Sequence, residues 1–143
     1  IYGSATLADY VDVVTAAAAR HGHTVTATQT NHEGVLVDAI HAARTEADAI
    51  IINPGAFTHY AWSIHDALSA FDGVIVEVHI SNPNAREAWR HTSVVAPVAT
   101  GSIMGFGMHG YVLGVEAIAA PRREHQAVAL GRKQFRERLP NAG

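Results

Sequence analysis

The chain has 143 residues, 48% of them hydrophobic and 16% charged, enough for one ordinary domain to close a core without disulfides or metals. The net charge of -3 is spread along the sequence, so no basic stripe marks a nucleic-acid partner or an anionic membrane surface. Cysteine is absent, which excludes thiolate chemistry and fits a reducing cytoplasm, and no apolar run reaches the roughly 20 residues needed to cross a bilayer.

Thr6 followed by Asp9 predicts a helix start, and Leu7, Tyr10, Val11, Val14 and Ala18 recur at helical spacing until Gly22. The alternating, β-branched stretch TVTATQT at 24–30 predicts a strand. Val35, Leu36, Ala39, Ile40 and Ala43 predict a second helix, and the apolar AIII before Asn53 predicts a strand buried on both faces. The loop NPGAFTH leads to a helix over about 62–70, and GVIVEVH predicts another buried strand. A short helix is expected over 86–91, then a glycine-rich strand around TGSIMGFG and a helix over about 109–119. Strands and helices in alternation imply right-handed crossovers and a parallel sheet covered on both faces. The expected fold is a flavodoxin-like, doubly wound α/β sandwich, one domain over 1–120, with 121–143 a polar helical tail. A first strand, normally central in such a sheet, is expected upstream of Ile1.

Ligands of open parallel sheets bind beyond the carboxyl ends of the strands. Two ends are polar here: Asn53 before Pro54-Gly55, and His79 before Ile80-Ser81-Asn82. Glu77 and His79 share a face, so the carboxylate can accept from one imidazole nitrogen while the other meets a ligand. The alternative is a buried polar pair that satisfies only itself. His59 and Asp66 follow Asn53, and Arg86 and Arg90, four apart, would share a helix face, either aimed at the crevice or simply solvated. The amides of Ile80 and Ser81 could form a small anion site. Lysine occurs once, at Lys133, so a Schiff-base mechanism has no buried candidate. A small hydroxylated carboxylate suits this set better than a nucleotide. Zinc needs three or four clustered ligands, and no HExxH, HxH or CxxC spacing is present.

The text IYGS, QTNHEG, NPGAFTH, EVHISN, REAWRH and ATGSIMGFGMHGY, running in order from 1 to about 118, resembles the type II 3-dehydroquinate dehydratases of the shikimate pathway, which serves aromatic amino acid biosynthesis. The resemblance implies a cytoplasmic lyase that needs no metal or organic cofactor and assembles as a homo-oligomer, a dodecamer of trimers. It implies removal of water from 3-dehydroquinate through an enolate, with Tyr2 as base, His79 as acid, Glu77 orienting His79 and Arg86 lowering the tyrosine. Substrate contacts would fall on Asn53, His59, Ile80, Ser81 and Arg90, with Asp66 supplied by a neighbouring subunit. A phenol titrating near pH 10 must be lowered by roughly two to three units, about 3 to 4 kcal/mol, to serve as a base at neutrality. The family's Asn-Gly-Pro-Asn-Leu strand and its lid arginine are expected upstream of Ile1. THYAWSIHDA departs from the family's Thr-His-Thr-Ser run, and His65 stands where an arginine often precedes the aspartate. Two other classes fit the residues: a non-catalytic homologue that binds a small carboxylate or serves in assembly, and a metal-dependent hydrolase using His59, His79 and His109.

Overall fold

A computed structural model describes residues 3–120; Tyr2 and the expected tail at 121–143 lie outside the described residues. The first helix, α1 (Leu7–Ala19), begins where the sequence predicts. The Thr6 amide donates to the Asp9 carboxylate at 2.6 Å and the Asp9 amide donates back to the Thr6 hydroxyl at 3.3 Å, which satisfies helix-end donors that have no partner within the helix.

Three parallel strands follow, β1 (Ala49–Ile52), β2 (Val74–His79) and β3 (Gly101–Met104), hydrogen-bonded in the order β1-β2-β3. Helix α2 (Glu33–Glu46) precedes β1, α3 (Trp62–Ser69) connects β1 to β2, and α4 (His109–Ala119) follows β3. Strand alternation sorts the side chains into two cores. Ile52 and Ile75 pack with Ile40 of α2 and Ile64 and Leu68 of α3, whereas Ile51 points to the other face, against Ala17, Ala18 and Val115 of α1 and α4. The result is three layers, helix over sheet over helix. Glu77 and His79 continue the Ile75 face, so β2 carries them under the α2 and α3 layer at its carboxyl end.

Two expectations need correction. Residues 24–30 form no strand: they join no ladder among the described residues, and β-branched alternation makes a strand only where a neighbour takes up the backbone groups. The expected helix over 86–91 is instead two 3-10 turns, Pro83–Ala85 and Ala88–His91. Pro83 and the short polar run favour tight turns, and Arg86, with φ -117 and ψ -156, is extended between them. Arg86 and Arg90 therefore do not share a helix face. The last strand is also shorter than expected, ending at Met104 before Gly105, whose φ is +89°.

Close packing of α4 on the sheet depends on Gly110, where an added Cβ would lie 3.3 Å from a methyl of Val78. Gly110→Val would press a branched side chain into β2. It should cost about 1 to 3 kcal/mol of stability, read as a lower urea midpoint; an unchanged midpoint would show that α4 does not sit this tightly.

Candidate active site

Because β1 and β2 are parallel neighbours, the residues that leave their carboxyl ends diverge from one edge of the sheet. They open a crevice of about 270 Å³ lined by Asn53, Gly55, Ala56, His59, His79, Ile80, Ser81, Pro83, Arg86 and Arg90. Seven of the residues singled out in the sequence thus meet in one place: Asn53, His59, His79, Ile80, Ser81, Arg86 and Arg90. The two arginines do not arrive from one helix: Arg86 stands extended between two 3-10 turns and Arg90 lies in the second. Asp66 is exposed on α3 and does not line the crevice, and neither does His109, the first residue of α4.

Glu77 is fully buried and His79 is 6% exposed. The Nε2 of His79 donates to Glu77 Oε1 at 2.8 Å. The same oxygen accepts from the Thr58 hydroxyl at 2.5 Å, and Oε2 accepts from the Ser102 hydroxyl at 3.0 Å. Ser102 stands directly beside Glu77 in the β2–β3 register. The Thr58 proton is committed to Glu77, so Thr58 Oγ1 accepts from Ser93 at 2.8 Å, and Ser93 Oγ accepts from the amides of Val95 at 3.1 Å and Ala96 at 2.8 Å. Every bond in this chain runs toward the carboxylate. An acceptor surrounded only by donors is an ionised one. Burial pushes the Glu77 carboxyl up, but the hydrogen bonds from His79, Thr58 and Ser102, with the charge of His79, outweigh it and hold the group below its ordinary value.

The donor geometry fixes His79 as well. Its Nε2 carries hydrogen in either charge state, so Nδ1 is the nitrogen that gains or loses a proton. The loop beyond β3 arranges the next two residues: the Gly105 amide donates to the His79 carbonyl at 3.1 Å and the Gly107 amide to the Ile80 carbonyl at 3.0 Å. Both glycines have positive φ, +89° and +56°, which other residues rarely adopt. In a trans peptide the N–H opposes the C=O, so the Ile80 and Ser81 amides point away from that loop.

Asn53 is oriented from two sides. Its Oδ1 accepts from the Gly55 amide at 3.1 Å, which leaves Nδ2 to donate to the Tyr111 hydroxyl at 3.0 Å. Burial raises the Tyr111 phenol above its ordinary value, opposed by the Asn53 hydrogen bond, so Tyr111 is a neutral anchor and not a base. Thr58, Ser93, Ser102 and Tyr111 were not singled out in the sequence. Only Ser102 had a local signal, a hydroxyl in a strand, and its partner follows from the register. On the opposite wall, Arg86 Nη1 donates to Ser81 Oγ at 3.4 Å and its Nε lies 3.6 Å from the Glu87 carboxylate.

The model of the family described as dehydroquinase class II matches residues 1–119. The chain belongs to this family. A 3-dehydroquinate dehydratase of Streptomyces coelicolor is 54% identical over 121 residues, covering 84% of this chain and 77% of the relative; one from Roseiflexus castenholzii is 48% identical over 122 residues, 85% and 78% of the two chains. Among solved structures, the type II dehydroquinase of Propionibacterium acnes superposes with a TM-score of 0.80 at 39% identity, covering 83% of this chain and 82% of that one. A 3-dehydroquinate dehydratase-like protein from Bifidobacterium longum gives 0.67 at 35%, over 79% and 84%. The family's flavodoxin-like α/β fold is the one expected from the alternation of elements.

The buried carboxylate ties stability to pH. A folded value held below 4.5 contributes stability that is fully present above 4.5 and is lost as pH falls through the folded value. Ser102→Ala removes one donor and lets the folded value rise, so the gap in unfolding free energy between neutral and acid solution should narrow. Equal gaps in wild type and variant, measured by urea titration at each pH, would contradict this assignment of the bond.

Proposed function

We propose that this chain is a hydro-lyase that dehydrates 3-dehydroquinate, giving 3-dehydroshikimate; its relatives are named 3-dehydroquinate dehydratases. The observation that carries this reading is the buried Glu77–His79 pair at the carboxyl end of β2, 2.8 Å apart, with His79 on the wall of a crevice that also holds Asn53, Ser81 and two arginines. Tyr2, placed by the IYGS motif, is the base. It takes a proton from the carbon beside the ketone, and the electron pair passes into an enolate. When the enolate collapses, the carbon–oxygen bond on the opposite side breaks, and His79 as imidazolium gives its Nδ1 proton to the departing hydroxyl, which leaves as water.

Glu77 supports this step in two ways. It accepts the Nε2 hydrogen and so aims Nδ1 at the crevice, and its carboxylate lies beside the imidazolium that must donate. Arg86 supplies positive charge toward Tyr2. Asn53, His59, Ile80, Ser81 and Arg90 bind the hydroxyls and carboxylate of the substrate. Asp66 reaches a neighbouring subunit's crevice, and the assembly is a homo-oligomer, a dodecamer of trimers; the exposure of Asp66 beside Trp62, which is 62% exposed, supports a contact there. No metal or organic cofactor takes part.

Purified full-length protein given 3-dehydroquinate should raise ultraviolet absorbance as the conjugated product forms. His79→Ala and Tyr2→Phe should each lower kcat by roughly 10²- to 10⁴-fold, the usual worth of a positioned acid or base, with circular dichroism unchanged. No absorbance change with wild type would reject the lyase. It would leave a carboxylate-binding homologue, detectable as substrate raising the melting temperature without turnover.

A further inference from the structure

Ser93 is the outermost of the hydroxyls behind the buried carboxylate, and neither it nor Thr58 lines the crevice. Its oxygen accepts two amides, Val95 at 3.1 Å and Ala96 at 2.8 Å. That leaves its one hydrogen to choose between Thr58 Oγ1, 2.8 Å away, and Glu77 Oε1, 3.4 Å away. The second distance is long for a bond from a hydroxyl, so the hydrogen goes to Thr58.

Thr58 has another option that this bond closes. It lies in the 3-10 turn Gly55–His59, and a threonine in a helical turn can give its hydrogen to a carbonyl three or four residues back. A hydrogen arriving at Oγ1 from the Ser93 side leaves the Thr58 hydrogen pointing away from Ser93, onto Glu77 Oε1. An oxygen that accepts is also the stronger donor, because successive hydrogen bonds polarise one another. Oε1 is the same atom that accepts from His79 Nε2 at 2.8 Å, so the direction of the Thr58 hydroxyl decides how firmly that oxygen is held toward the ring. The Val94 amide donates to the Thr58 carbonyl at 2.7 Å without help from any hydroxyl. The two segments therefore stay joined when Ser93 is changed.

We propose that Ser93 is a positioning residue for the acid: by directing the Thr58 hydroxyl it holds Glu77 Oε1 in line with His79 Nε2, and so keeps Nδ1 turned to the crevice. Ser93 acts through two other side chains and touches no ligand, so it governs the chemical step and leaves binding alone. The effect on turnover rests on the dehydratase reading above; the hold on the ring does not.

Proton NMR of the His79 Nε2 hydrogen tests the hold apart from turnover. In Ser93→Ala this hydrogen should exchange with solvent roughly three- to tenfold faster than in wild type, the worth of one hydrogen bond. Ser93→Thr, which keeps the hydroxyl, should recover most of the difference. With 3-dehydroquinate, Ser93→Ala should lower kcat by a similar factor and hold KM within about twofold, as fits a residue away from the ligand. In a Glu77→Gln background the same change should alter kcat by less than about twofold, because Ser93 acts only through Glu77. Should Ser93→Ala not fold, Thr58→Val removes the middle hydroxyl and should speed the exchange in the same direction. Unchanged exchange in the folded variant, an equal change in Ser93→Thr, or an undiminished kcat effect in Glu77→Gln would overturn the proposal. Faster exchange in Ser93→Ala, restored in Ser93→Thr, in a protein without turnover would uphold Ser93 and sink the dehydratase reading alone.

Discussion

A carboxylate with no exposure to water, held ionised in the middle of an α/β layer, is the constraint from which the site follows. An isolated buried charge costs several kcal/mol, and Glu77 is tolerable because donors converge on it from three separate pieces of chain. Thr58 comes from the turn after β1, Ser102 from β3 and His79 from its own strand. The supporting hydroxyl of Ser93 is itself held by two backbone amides. Among the described residues no buried side-chain nitrogen or oxygen lacks a partner. Such a network is sensitive to any loss, because a half-satisfied buried charge is worse than none.

The same network links fold to chemistry. The Val94 amide, which donates to the Thr58 carbonyl at 2.7 Å, and the His59 side chain, which donates to the Thr92 carbonyl, fasten the turn after β1 to the segment before β3, and the His65 side chain ties α3 to the same segment through the Val94 carbonyl. Those two segments frame the crevice and also present Thr58 and Ser93 to Glu77. The rigid part of the site is therefore its floor. The walls, where Arg86 stands between two short 3-10 turns and Trp89 and Arg90 lie in the second, are held by side-chain contacts with Glu87, Ser81 and one another.

Much of this was legible in the sequence because its signals are local. The Thr6–Asp9 box, the apolar spacing of α1 and α2 and the buried run of β2 each depend on near neighbours, as does the two-residue offset that puts Glu77 and His79 on one face. The family motifs added the residues expected to act with His79. What failed depended on distant partners. The stretch at 24–30 has strand composition, but a strand exists only with a neighbour, and periodicity says nothing about that. Arg86 and Arg90 have helical spacing, yet the chain breaks into two 3-10 turns there, with Arg86 extended between them and Arg90 in the second. Thr58, Ser93 and Tyr111 carry no sequence signal for their roles, because a hydroxyl becomes a support only when a chain 16 to 58 residues away brings the acceptor or donor to it.

Nitrogen-15 NMR of the His79 ring across a pH titration tests the central claim most directly. The account predicts that Nε2 keeps its hydrogen throughout while Nδ1 alone changes from acceptor to donor, and that this order is lost in Glu77→Gln. A neutral ring with its hydrogen on Nδ1 in the wild type would contradict it, because Glu77 would then not be the ionised acceptor that sets the acid.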